Sequence, residues 1–230
     1  MVFGGFQKLT LLDYPEKTAC TLFTAGCNFS CPFCQNASLI NPNGSNQTQS
    51  IPEILKFLKT REGLLDGVCI SGGEPLIQDG LSAFIDEVKA LGFLVKLDTN
   101  GSFPGKLEKL IASGKIDYIA MDIKNTPEKY AETIGLPVYD ITPVKDSITM
   151  LLAGKVSYEF RTTVIYEFHT ADDLISIASW ISGAGKYVLQ QFADSEGVKQ
   201  SGLHSYSAEE IQQLLLGIKE ILPNTELRGT

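Results

Sequence analysis

Residues 26–36 read GCNFSCPFCQN, which sets Cys27, Cys31 and Cys34 at a C-x3-C-x2-C spacing. Thiolates spaced this way can wrap one loop around a single centre. Zinc suits thiolates, but a structural zinc site is closed by four ligands. No fourth Cys or His stands nearby. The two histidines, His169 and His204, lie far along the chain, and Cys20 and Cys69 fall inside apolar runs. A free cysteine there behaves as a small buried hydrophobe. An iron–sulfur cube answers the count. Each of its four irons takes one outer ligand, so three cysteines leave one iron open to a ligand that is not protein. The missing fourth cysteine is then the functional feature, as the open position is in catalytic zinc.

A second set of residues could line the same place. ISGGEP at 70–75 brings Gly72 and Gly73, which lack a Cβ and let backbone approach a ligand closely. Glu74 can accept hydrogen bonds from a cation. LDTNG (97–101) carries Asp98, MDIKN (121–125) carries Asp122 and Lys124, and EFRTTV carries Arg161. Buried carboxylates are costly without partners, and the forked donors of Arg suit a carboxylate. The plainer reading of these four is a set of salt bridges at the rim of a barrel. Phe33, with Phe29 and Pro32 close by, gives the cysteines apolar cover that limits water. QQF (190–192) could add amide hydrogen bonds. SGAGK (182–186) misses the spacing of a phosphate loop. Trp180 lies on an apolar helical face and reads as core, and the two histidines read as loop residues with no role.

The elements that must position these residues alternate. Strand-like runs cover 18–25, 66–71, 94–99, 118–124, 158–165 and 187–192, rich in β-branched and aromatic residues. Helix-period stretches cover 51–61, 81–92, 106–114, 144–155, 172–182 and 208–222. Leu81, Phe84, Ile85 and Val88 keep one helical face, Gly92 and Gly114 sit at helix stops, and Ser207 with Glu210 forms a capping box. Six strand–helix units imply a parallel sheet with helical crossovers. They are too few for a complete eight-unit barrel, so an open barrel or a doubly wound sheet is expected. The unusual residues fall at the C-terminal ends of successive strands, the edge where such sheets hold their sites.

Composition sets bounds. The 230 residues fit a single domain, 1–230, and 43% hydrophobic content supports a large core. A net charge of −8 argues against a nucleic-acid surface. No run approaches the ~20 apolar residues of a membrane span, and the N-terminus lacks a signal-peptide pattern. A cytoplasmic location is expected, where clustered cysteines bind metal or react rather than pair.

C-x3-C-x2-C after a first strand, followed by Gly-Gly-Glu after a second, resembles the radical S-adenosylmethionine (SAM) superfamily. GFQKLTLLDYPEK, GCNFSCPFCQN, LDTNG, DYIAMDIKN, YEFRTTV and YVLQQF extend the likeness to activating proteins of glycyl radical enzymes, most of all the anaerobic ribonucleoside-triphosphate reductase type. The resemblance implies an incomplete (βα)6 barrel with outer helices and one 4Fe–4S cluster on Cys27, Cys31 and Cys34. SAM would chelate the open iron. Glu74 and the glycines would face the SAM ammonium, and Phe33 would lie near the adenine. Asp98 and Asp122 would face SAM through ribose hydroxyls or a bound monovalent cation, and Lys124 and Arg161 would lie near its carboxylate. A flavodoxin- or ferredoxin-like reductant would feed the cluster. A 5′-deoxyadenosyl radical would then take hydrogen from a glycine of a partner enzyme. Gln35 departs from the type, which often has His there. Rival readings are a radical enzyme acting on a small molecule, and an iron–sulfur carrier or zinc-stabilised module.

Overall fold

The computed structural model describes residues 1–40, 49–195 and 197–229. Eight strands form one sheet: β1 (Phe3–Thr10), β2 (Ala19–Thr24), β3 (Gly67–Gly72), β4 (Leu94–Thr99), β5 (Tyr118–Asp122), β6 (Ser157–Val164), β7 (Tyr187–Gln191) and β8 (Thr225–Arg228). They lie in chain order, parallel from β2 through β8, with β1 antiparallel to β2. The six expected strands are β2 to β7. A doubly wound sheet reverses its strand order partway. This one does not, so of the two architectures the open, incomplete barrel stands. β1 and β8 are additions to the sequence reading. FGGFQKLT alternates poorly and is largely half-exposed, and TELR is only four residues long, so neither carries the apolar signature of a buried strand.

Eight helices accompany the sheet among the described residues: α1 (Ala37–Ile40), α2 (Ile51–Lys59), α3 (Leu81–Ala90), α4 (Pro104–Ala112), α5 (Tyr130–Thr133), α6 (Thr142–Leu152), α7 (Ala171–Trp180) and α8 (Ala208–Lys219). α3 buries Leu81, Phe84, Ile85 and Val88, as its period requires. Gly92 (φ 85°) and Gly114 (φ 67°) follow α3 and α4 in left-handed backbone that other residues resist. Ser207 caps α8 and Glu210 returns the bond.

Successive side chains of a strand point to opposite faces. One face packs on the helices: Val68 and Ile70, Val95 and Leu97, Ile119 and Met121, Phe160 and Val164 join a single core with Phe84, Leu107, Ile148 and Ile177. The alternate residues, Cys69 and Ser71, Lys96 and Asp98, Tyr118 and Asp122, Glu159 and Arg161, bond to one another across the barrel interior. That interior is therefore polar and charged, and it opens at the C-terminal edge of the strands. No described helix is long and apolar enough to cross a membrane.

Candidate active site

The loop after β2 carries Cys27, Cys31 and Cys34, and all three line one cavity of about 300 Å³ at the C-terminal edge of the sheet. None is in a disulfide. Backbone bonds hold the loop from three sides. The Gly26 N–H donates to Leu39 O at 2.6 Å, and the Ser30 N–H donates to Ile134 O at 2.9 Å. Behind β7, the Lys199 N–H donates to Cys34 O at 3.1 Å, the Gln200 N–H to Pro32 O at 2.9 Å, and Lys199 Nζ to Ser30 O at 2.8 Å. Gln35 donates its amide to Ala193 O at 3.0 Å and so ties the loop to the same segment.

The loop fits an iron–sulfur cluster. Phe29 and Phe33 are buried beside the thiols, as apolar cover requires. The Phe29 N–H reaches Cys27 Sγ at 3.4 Å, a bond of the kind that tunes cluster sulfurs. Burial pushes the Cys27 thiol up to about 11 and that of Cys31 up to about 12. Bare thiolates are thus disfavoured there, and a bound metal would supply the missing positive charge. Among the described residues no three Cys, His, Asp or Glu groups converge on a point as one metal ion demands. A cube instead offers each cysteine its own corner.

Gly72 and Gly73 line the cavity, but the close approach they permit is to protein backbone. A Cβ on Gly73 would stand 2.0 Å from Gly26 O, and one on Gly72, at φ +104°, would stand 2.5 Å from Thr24 N. The turn lies against the start of the cysteine loop, with the Gly73 N–H bonded to Thr24 O and the Glu74 N–H to Gly26 O, both at 2.9 Å. Glu74 follows the two glycines. Its side chain is fully buried and does not line the cavity. Its Oε1 accepts from the Leu76 N–H and Thr99 Oγ1, each at 2.9 Å, and its Oε2 from the Asn100 N–H at 2.7 Å. The carboxyl clamps the end of β3 to the end of β4. Burial raises it to about 7 despite these donors.

The other four predicted residues come together. Asp98, Asp122, Lys124 and Arg161 all line the cavity. They also form the ion pairs of the plainer reading. Arg161 Nε meets Asp122 Oδ1 at 2.9 Å and its Nη1 meets Asp98 Oδ2 at 3.2 Å, while Lys124 Nζ meets Asp122 Oδ2 at 2.9 Å. Burial would raise Asp122, but Arg161 and Lys124 outweigh it and hold the carboxyl down to about 2. Lys124 also sits over the Phe33 ring, 6.0 Å from its centre.

Several residues escaped the sequence reading. Lys96 is buried and paired with Asp98. Its place two residues before Asp98 on one strand was the available signal, since i and i+2 share a face. Asn100 Nδ2 donates to Asn28 Oδ1 at 3.0 Å, and Asn28 Nδ2 to Ser102 Oγ at 2.9 Å, which fastens the cysteine loop to the turn after β4. His169 is fully buried, not a loop residue without contacts. Its Nδ1 accepts from the Ile165 N–H at 3.2 Å, which leaves Nε2–H to donate to Lys124 O at 2.8 Å. Cys20 and Cys69 are buried as expected, though Cys69 Sγ lies 3.8 Å from both Lys96 Nζ and Asp98 Oδ1. Trp180 is only partly buried, against the core and Tyr130. Gln190 lines the cavity.

Comparison with known proteins agrees with this geometry. Residues 21–181 match the family model described as the Radical SAM superfamily. A Methanocaldococcus jannaschii protein with the provisional name of glycyl-radical enzyme activating enzyme is 30% identical over 98% of this chain and 95% of its own length. Among solved structures, Streptococcus suis SuiB bound to S-adenosylmethionine superposes with a TM-score of 0.72 at 14% identity, over 90% of this chain. The chain spans about half of SuiB, 49% of its length. A domain of the pyruvate-formate lyase-activating enzyme from Bacteroides vulgatus gives a TM-score of 0.59 at 15% identity, over 71% of this chain and 99% of that one. With a family model spanning most of the chain, a near full-length relative and a barrel edge that gathers three free cysteines, this chain belongs to the radical SAM superfamily.

Proposed function

We propose that the chain activates a glycyl radical enzyme by taking a hydrogen atom from a glycine Cα of that partner, with anaerobic ribonucleotide reductase as the partner class. The observation that carries this reading is one cavity at the sheet edge, lined by three free cysteines, a glycine turn and a charged wall of Asp98, Asp122, Lys124 and Arg161. Cys27, Cys31 and Cys34 would hold a 4Fe–4S cluster. When bound, the cluster and SAM supply a one-electron reductive cleavage whose radical product abstracts hydrogen. The chain's own residues bind, orient and exclude water. Lys124 and Arg161 bring positive charge to the side where a carboxylate would bind. Phe29 and Phe33 give the cysteines apolar cover on one side, and the bonds with Ile134, Lys199 and Gln200 hold their loop in place. No residue is assigned as general acid or base. A flavodoxin- or ferredoxin-like protein would supply the electron.

The test is anaerobic. Protein reconstituted with iron and sulfide is reduced with dithionite and given SAM, and 5′-deoxyadenosine is assayed with and without a candidate glycyl radical enzyme. Product that depends on all three cysteines, together with a glycyl radical signal on the partner, supports the reading. Product without that signal points to a small-molecule substrate. No product from a loaded, reduced cluster points to an electron carrier.

A further inference from the structure

Asp98 stands one residue before the end of β4 and Asp122 ends β5, and the sequence expectation for the two was contact with ribose hydroxyls or with a bound monovalent cation. A side chain stands there instead. Arg161, the register partner of Asp122 on β6, directs Nε to Asp122 Oδ1 at 2.9 Å and Nη1 to Asp98 Oδ2 at 3.2 Å. The same carboxylates are met on their other sides as well. Lys96 pairs with Asp98, Ser71 Oγ donates to Asp98 Oδ2 at 2.9 Å, and Lys124 Nζ donates to Asp122 Oδ2 at 2.9 Å. The wall thus alternates in sign: Lys96, Asp98, Arg161, Asp122, Lys124. With Asp13 on the same cavity wall, three cations face three carboxylates there, and the buried Glu159 adds a further negative charge behind Arg161. A sodium or potassium ion would have to displace the guanidinium or sit beside three fixed positive charges at low dielectric, and either costs more than it returns.

We propose that Arg161 replaces a monovalent cation in this chain, bridging Asp98 and Asp122 so that ligand binding in the cavity needs neither sodium nor potassium. Arg is the side chain for the task. It is permanently charged, planar and forked, so separate nitrogens meet the two carboxylates in a fixed geometry, where the ammonium of Lys is a single point of charge. The inference rests on the SAM reading only for its affinity readout.

The experiment uses the cluster-loaded protein without oxygen, in sodium chloride, potassium chloride or choline chloride at equal ionic strength. Thermal midpoint is read without SAM, and the SAM dissociation constant separately. Wild type is expected to give the same values in all three salts. Arg161→Ala in choline chloride is expected to lose about tenfold or more in SAM affinity and to melt lower, because two buried carboxylates have lost their bridge. Sodium, potassium or added guanidinium should recover most of both losses. Wild type that needs sodium or potassium would overturn the proposal. So would an Arg161→Ala protein whose midpoint no cation raises. Should Arg161→Ala not fold, Arg161→Lys keeps the charge and loses the fork. A sodium- or potassium-dependent rise in its midpoint supports the bridge, and the absence of any rise refutes it. Because the midpoint is read without SAM, failure of the SAM reading would leave this result intact.

Discussion

Replacing Glu74 by Gln tests the buried clamp between β3 and β4. The wild-type carboxyl accepts three hydrogen bonds and is fully buried, and its folded pKa is raised from 4.5 to about 7. A raised acid binds its proton more tightly in the folded state. Between pH 4.5 and 7 the native protein therefore holds more protons than the unfolded chain, and stability falls as pH rises. The contribution is fully present below the unfolded pKa and is lost as pH passes 7. At ~1.4 kcal/mol per unit, the loss from pH 5 to pH 8 is about 2–3 kcal/mol. Glu74→Gln removes this dependence. It also turns an amide donor toward the Asn100 N–H, a fixed penalty of about 1–3 kcal/mol at every pH. Urea unfolding under anaerobic conditions at pH 5 and pH 8 gives the difference between variant and wild type, in which other titrating groups cancel. The variant should be the less stable at pH 5 and should gain about 2–3 kcal/mol on wild type by pH 8. For a chain of this size that corresponds to roughly 5–10 °C in melting temperature. An equal difference at both pH values would refute the raised carboxyl. A Glu74→Gln protein of unchanged stability but poor SAM affinity would refute the clamp and return Glu74 to the ligand.

Other substitutions probe separate parts of the site. Cys34→Ala should abolish SAM cleavage and change the electron paramagnetic resonance of the reduced cluster, and full retained cleavage would break the cluster assignment. Gly73→Ala should cost on the order of 4 kcal/mol or more, since its Cβ would meet Gly26 O at 2.0 Å, and a melting curve like wild type would show that the turn relaxes freely. Arg228→Met removes the cationic partner of buried Glu159, which accepts from the guanidinium at 2.8 and 2.6 Å, and leaves it the Tyr118 hydroxyl at 3.1 Å. A loss of about 3–5 kcal/mol in urea unfolding is expected, with iron content unaltered. Glu159 is itself held below its ordinary pKa, since Arg228 outweighs burial. Its share of stability is present above the unfolded pKa and lost on acidification, and a variant whose stability matched wild type at neutral pH would show the pair to be idle.

The residues of the site were legible in the sequence because local signals mark them. The C-x3-C-x2-C spacing fits one loop, so the count and chemistry of the cysteines needed no tertiary contact. β2 to β7 could be read because each is a short apolar run bounded by turn residues, and α3 because its apolar residues keep the helical period. Asp98 and Asp122 were legible as charges near strand ends and Arg161 as a charge within a strand, but not as partners. Their pairing depends on register between β4, β5 and β6, which links residues up to 63 positions apart. β1 and β8 escaped because edge strands need no apolar alternation.

Sequence alone therefore determined the candidate donor set and the strand–helix order, since both are written in neighbouring residues. Tertiary structure decided what the charges do. Glu74 had the right type for a ligand contact, yet packing turned it onto three protein donors. Arg161 had the right type for a carboxylate ligand, yet the barrel set it between two of its own. The direction of a buried charged side chain follows from which partners compensate it after desolvation, and those partners are brought together only when the sheet closes around them.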